Sequence, residues 1–463
     1  MKTHWQLAPR WGFQYKIPAE NIIVRGGAGM FTGHILNLWA SELYFANTYS
    51  IDIVPQLYGL RFNSDPYHQP DQESLGIDPE SSKGSIVLVA KDYKYPTAFR
   101  AVLGIDRRFK SDWLLTTELL FTKNIHEHRY TNVNLLPPSK MTPLPDRRNV
   151  YSLGVNPVRI PLPGGNPYSD VFLLSNNNSK KGFSYSFTVA INRFLSNNLF
   201  VSSAYSYGNS MALFDPAGNA NGSEQWRQTE TVNGKNFATR SVSDFDPGHR
   251  VFAALSKKVS YRNCSTMVSL FYNGQSGTAF SYVYNGTMVN DSRLINFDLV
   301  YIPTSRDLET MIFLPNTVAG ITYTPQQQKQ ALDEFISNDK YLRKHRGEFA
   351  GRNEARLPFT HVVDLRLQQD LKLKAFKKDL MLSIIYDVFN FTNMLNKNWG
   401  RTYFLTSDNF QLIRFAGFSN ATTLTPQYQF NPVTGDPWSV QSSTAPGSSA
   451  RWISQLGIKI KFN

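Results

Sequence analysis

Apolar and polar residues alternate over stretches of about ten positions along much of the chain, most cleanly from Gly182 to Phe194. Phe183, Tyr185, Phe187, Val189 and Ile191 fall on one face, and Ser184, Ser186, Thr188, Ala190 and Asn192 on the other. Beyond Ser196, Asn197 and Asn198 the pattern resumes with Leu199, Val201, Ser203, Tyr205 and Tyr207 opposite Ser202, Ala204, Ser206 and Gly208. The spacing predicts a hairpin with one oily face and one small, polar face. Trp113 to Phe121 repeats it, as does Val363 to Leu373, whose second face carries Asp364, Arg366, Gln368, Asp370 and Lys372. At the end of the chain, Trp452, Leu456, Ile458, Ile460 and Phe462 oppose Gln455, Gly457, Lys459 and Lys461.

This pattern predicts about eleven strands: near 4–16, 22–31, 94–106, 112–124, 181–194, 199–210, 248–258, 264–274, 361–373, 379–391 and 451–462. Tight connections (17–21, 107–111, 195–198, 259–263, 374–378) alternate with long ones (32–93, 125–180, 211–247, 275–360, 392–450). A soluble sandwich also alternates, but its strands usually run about 5 to 6 residues and hold their bulk on an inner face. Long strands with a charged second face fit a wide barrel, whose watery or plugged interior tolerates Asp, Arg and Lys. The predicted fold is therefore all-β: part of a transmembrane antiparallel β-barrel with short periplasmic turns and long extracellular loops. Each strand entering a short turn runs inward, so an odd count leaves the first and last strands ending on opposite sides of the membrane. Barrels with both ends in the periplasm need an even count, so further strands are expected before Met1.

Composition agrees with this picture. The 32 Phe, 23 Tyr and 8 Trp suit strands with aromatic ends, and no apolar run approaches the ~18 residues of a spanning helix. Cys264 is the one cysteine, which excludes an internal disulfide and any multi-cysteine metal site. The net charge of +13 is scattered through turns and loops, arguing against nucleic acid and for contact with outer-membrane lipid and lipopolysaccharide. The first residues lack the apolar core of a signal peptide.

Several motifs, in order along nearly the whole chain, resemble the Oar-like branch of the TonB-dependent outer-membrane receptors, a group related to SusC-like transporters and typical of Bacteroidota-type Gram-negative bacteria. They are Leu7-Ala8-Pro9-Arg10-Trp11-Gly12-Phe13 with Val24-Arg25-Gly26-Gly27-Ala28-Gly29-Met30-Phe31, then Asp246-Pro247-Gly248-His249-Arg250 and Leu270 to Gly277. Further on come Arg352-Asn353-Glu354-Ala355-Arg356-Leu357-Pro358-Phe359, Asp387-Val388-Phe389-Asn390-Phe391-Thr392-Asn393, Asn398-Trp399-Gly400-Arg401 and the closing Gly457 to Asn463. The resemblance implies a 22-stranded barrel plugged by an N-terminal domain, energised through TonB and importing a bulky nutrient or signal. Residues 1–463 would be the C-terminal part of that barrel, without plug or signal peptide. Its partners would be the N-terminal barrel half and plug, the TonB complex through that part, and a surface lipoprotein. Phe462 would carry the assembly signal that closes such barrels. The alternatives are a free-standing passive pore of about twelve strands and an outer-membrane phospholipase-type enzyme.

No catalytic, cofactor or metal site is expected. Gly27-Ala28-Gly29 with Gly33 has the wrong spacing for a dinucleotide fingerprint and reads as small side chains in a strand. His126-Glu127-His128 offers two imidazoles but no third zinc ligand, so a loop contact is expected. Asp244, Asp246, His249 and Ser276 sit at strand-to-loop junctions where such residues form turns, and the serine lacks the nucleophile-elbow spacing. Thr324 to Ile336 reads as a loop helix with Thr324 as N-cap and Pro325 at the first helical position. Lumen-facing candidates are Asp364, Arg366, Asp370, Lys372, Asp387 and Lys459, most of them expected to pair with each other or with a plug.

Overall fold

The computed structural model describes residues 5–35, 39, 60, 63–70, 75, 84–138, 140–153, 158–162, 168–195, 197–215, 222–375, 378–405, 407, 409–440 and 450–462. Eleven long strands pair in chain order: β1 Arg10–Ile17, β2 Ile22–Thr32, β3 Thr97–Arg108, β4 Leu114–His126, β5 Phe183–Leu195, β6 Leu199–Ala212, β7 Gly248–Tyr261, β8 Cys264–Gln275, β9 Thr360–Ala375, β10 Lys378–Phe389 and β11 Ile453–Phe462. Every ladder between them is antiparallel, and a two-residue strand, Ser241–Val242, adds to the far end of β6. The sheet is open, since among the described residues no ladder joins β1 to β11. Each expected strand is present, with ends displaced by a few residues. β1 begins at Arg10 rather than near residue 4, because Pro9 has no N–H to give a ladder and contributes only its carbonyl, to Met30.

Four of the tight turns contain a residue with positive φ: Asn21 (51°), Asp112 (63°), Asn198 (55°) and Arg262 (48°). A short hairpin loop that ends left-handed matches the twist of its strands, and Asn and Asp tolerate that conformation best. The turns thus fix register, and register fixes faces. Phe187 lies opposite Tyr207 and Leu119, and Leu365 opposite Leu270 and Val388, so apolar residues align across the whole sheet. That face is left uncovered: Ile458 is 69 % exposed and Leu103 46 %. Uncovered apolar surface on this scale signals an apolar surrounding. Its margins are aromatic. Tyr15, Trp113 and Tyr261 lie toward the short turns, and at the other end Tyr272 shares a hydrogen bond with His361 (2.8 Å).

The long connections fold together, and the buried core lies among them rather than within the sheet. Ala279–Asn285 runs parallel to Asn409–Phe418 in a five-stranded sheet, and Ile86–Val89 runs parallel to Val171–Asn176 in a three-stranded one. The larger core gathers Phe280, Tyr282, Tyr284, Ile302, Ile413 and Tyr428, and a second packs Tyr130, Phe172, Trp226 and Val289. The expected helix is present as Pro325–Asn338, with Thr324 and Gln327 forming a capping box. Its Leu332 and Ile336 are fully buried in the larger core, so it supports the folded connections.

Candidate functional site

The polar face of the sheet carries charge, and part of that charge is compensated across strands. On β2, Arg25 donates to Asp106 of β3 (3.1 Å) and Glu118 of β4 (2.8 Å), while Thr116 donates to Asp106 (2.8 Å). Arg366 and Asp387, directly opposite on β9 and β10, form a two-pronged pair at 2.6 and 2.9 Å. Asp370 is nearly buried and accepts from Gln368 (2.7 Å), Ser265 (3.1 Å) and Lys258 (3.4 Å). Asp364 accepts the backbone N–H of Asn390 (2.7 Å), pinning the end of β10. Lys372 and Lys459 stand exposed on the same face. Phe462 pairs with Leu380 through its backbone; its side chain lies outside the described residues. Of the six candidates, the structure thus joins Arg366 to Asp387, while Asp370 finds Lys258.

Above this face the connections enclose a cavity of about 900 Å³, lined by Asp215, Glu230, Asp244, Arg352, Asn353 and Tyr403 among others. A smaller cavity, about 520 Å³, extends along the upper polar face past Arg100, Thr122 and Ser184, and shares Asp215 and Phe245 with the first. The two cavities thus adjoin across Asp215 and Phe245. Arg352 shapes it by donating to Asp215 (3.1 Å) and to the carbonyl of Leu213 (2.8 Å) while nearly buried. Burial pushes the Glu230 carboxyl up to about 7, against the pull of Arg352. A further cavity of about 930 Å³ has aromatic walls that include Phe335, Tyr341, Phe359 and Trp438. These cavities are large enough for a small-molecule ligand, and their walls offer both polar and aromatic contacts.

The junction residues act as ties. Asp246 accepts from Arg356 and from the amide of Ser210, Ser276 accepts from the amide of His249 (2.9 Å), and Asp244 accepts from Asn353 (2.5 Å). Gly248 has φ +59°, and a β-carbon there would press on Ser276, so its glycine is a backbone requirement. His126 ends β4, Glu127 is buried with four donors, and His128 packs on Trp39 and Phe214. Among the described residues no cluster of three potential metal ligands occurs. Glu230, Arg352 and Asp215 were not singled out as site residues in the sequence. They sit in connections with no hydrophobic period, and only the folded loops bring them together.

An uncovered apolar face, a charge-paired polar face, tight turns at one end and folded connections at the other define an outer-membrane β-barrel domain. The chain belongs to that family: the model of the outer membrane beta barrel domain matches residues 1–424. The protein is an outer-membrane protein, and its apolar face is the lipid-facing one. Among solved structures, the outer membrane transporter YddB from Escherichia coli is similar, with 10% identity and a TM-score of 0.40. That match covers 95% of this chain and 39% of the transporter, so the chain spans well under half of its length. No curated protein matches the sequence.

Proposed function

We propose that this chain is the C-terminal part of the barrel of a TonB-dependent receptor that imports a bulky nutrient or signal ligand, and that it performs no catalysis. The observation that carries this reading is the open eleven-strand meander, whose two edges are unpaired among the described residues. In lipid, each unpaired backbone group costs several kcal/mol, so both edges require partner strands. A companion barrel segment supplies them, with a plug inside and TonB acting through that plug. The ordered motifs quoted above support the same family. The paired charges of the polar face suit a lumen that holds a plug or passes polar solute, and the cavities above it offer a receiving surface.

Two measurements test this. Refolded chain, expressed without a partner, is expected to give no stable conductance in planar bilayers. A reproducible single-channel step together with a monomeric heat-modifiable band would replace this reading with a passive pore of about twelve strands. The native protein, isolated from outer membranes, is expected to bind the purified periplasmic domain of TonB, and failure to bind would refute TonB dependence.

A further inference from the structure

Two basic side chains converge at the extracellular edge of the lipid-facing surface, and a third, that of Lys181, is held two residues along β4 from one of them. Lys123, outward on β4, lies with its Nζ 5.6 Å from the ring centre of Phe183, and the Arg240 guanidinium lies 5.0 Å from the same ring. Both donate to the backbone carbonyl of Lys181, at 3.1 and 3.2 Å. The Lys181 ammonium in turn donates to the carbonyl of Ile125 (2.5 Å). Among the described residues no carboxylate stands within ion-pair reach of these three. The carboxylate adjoining the group in sequence, Glu127, is buried and already takes Asn124, Asn177 and the amides of Gly182 and Leu213. Every acceptor that the three cations have among the described residues is thus a neutral carbonyl. Directly below, toward the membrane centre, Phe121 and Leu119 continue the apolar face.

We infer that Lys123, Lys181 and Arg240 form a binding site for a phosphate group of outer-leaflet lipopolysaccharide. This rests on the outer-membrane placement and the assignment of faces. Ammonium and guanidinium donors together suit a tetrahedral phosphate. The apolar strip beneath then takes the acyl chains of the same molecule, which free phosphate lacks. Cations at the boundary between headgroup and chain also keep their stems in the apolar layer. The three residues come from different parts of the chain, so a bound lipid would clamp β4, β5 and the β6–β7 connection together.

The test uses the native protein, purified and delipidated in mild detergent, and reads the midpoint of its heat-modifiable transition. Diphosphoryl lipid A is expected to raise that midpoint by several degrees. Lys123→Gln/Lys181→Gln/Arg240→Gln should lose most of this shift. Arg107→Gln/Lys257→Gln, which removes outward cations at the short-turn end, should keep it. Lys181→Gln alone leaves the carbonyl in place and should lose part, which covers failure of the triple variant to fold. Equal shifts in wild type and the Lys181 variant, or in wild type with lipid A stripped of its phosphates, would overturn the site. An equal shift with inorganic phosphate alone would also overturn it, as binding of the free anion. Release of the native protein from membranes by alkaline carbonate would instead contradict the outer-membrane placement, independently of the site.

Discussion

Removing the ammonium of Lys235 tests whether the long connections form one cooperative body. Lys235 and Asp291 are 1% and 2% exposed, and they join the β6–β7 connection to the β8–β9 connection. The Lys235 ammonium lies 3.3 Å from one Asp291 oxygen, and its own amide donates to the other oxygen at 2.5 Å. Lys235→Met leaves Asp291 buried without its cation, which costs about 3 to 5 kcal/mol. At about 1.4 kcal/mol per factor of ten, local opening becomes roughly two to nearly four decades more frequent. Hydrogen exchange on the native protein in detergent reads this directly. Protection should fall at Lys235 and also at Tyr151, whose amide bonds to Val289 in another connection. Lys235→Met/Asp291→Leu should recover much of it, because the stranded charge is gone. A loss below tenfold, or one confined to residues 234–237 while Tyr151 stays protected, would show that the connections open independently.

The assignment of faces predicts that Phe187→Lys or Leu365→Lys costs ~2 to 4 kcal/mol near the bilayer midplane and Ser186→Lys much less; equal losses of folded barrel would show the faces to be reversed or mixed. Burial holds His128 down to about 4, against Glu127 and Asp215, so it is neutral in the fold while the unfolded chain takes its proton near the ordinary value. Its contribution to stability is therefore present above about pH 6.5 and lost as pH falls from there towards 4. Protection across 128–132, corrected for the pH dependence of intrinsic amide exchange, should fall over that window in wild type and not in His128→Phe, and equal acid sensitivity of both would exclude His128 as the cause.

Alternation made the strands readable because the apolar side meets lipid, so each outward position selects a hydrophobe. One turn was readable from the polar run Ser196, Asn197 and Asn198, and the helix from Thr324 and Pro325. The bonds on the polar face were only half visible. Arg366 and Asp387 could be placed on one face, but their pairing needed the register, and Lys258 reaching Asp370 needed β7 beside β8 and β9. The connections were opaque for a different reason: their strands are short and their partners remote, as where Ala279–Asn285 meets Asn409–Phe418. Charge misled most. Lys123, Lys181 and Arg240 look scattered along the chain, yet two of them donate to the third's carbonyl.

The parallel pairing of Ala279–Asn285 with Asn409–Phe418 also constrains how the exterior of this protein diversifies. A segment transplanted into one of these connections must still match a partner more than a hundred residues away, including its hydrogen-bond register and the side chains it buries. Exchange of one connection alone breaks the shared sheet unless the other changes with it. Antibodies and phage that recognise this face in its folded form therefore meet a discontinuous epitope, which a linear peptide from either connection does not reproduce.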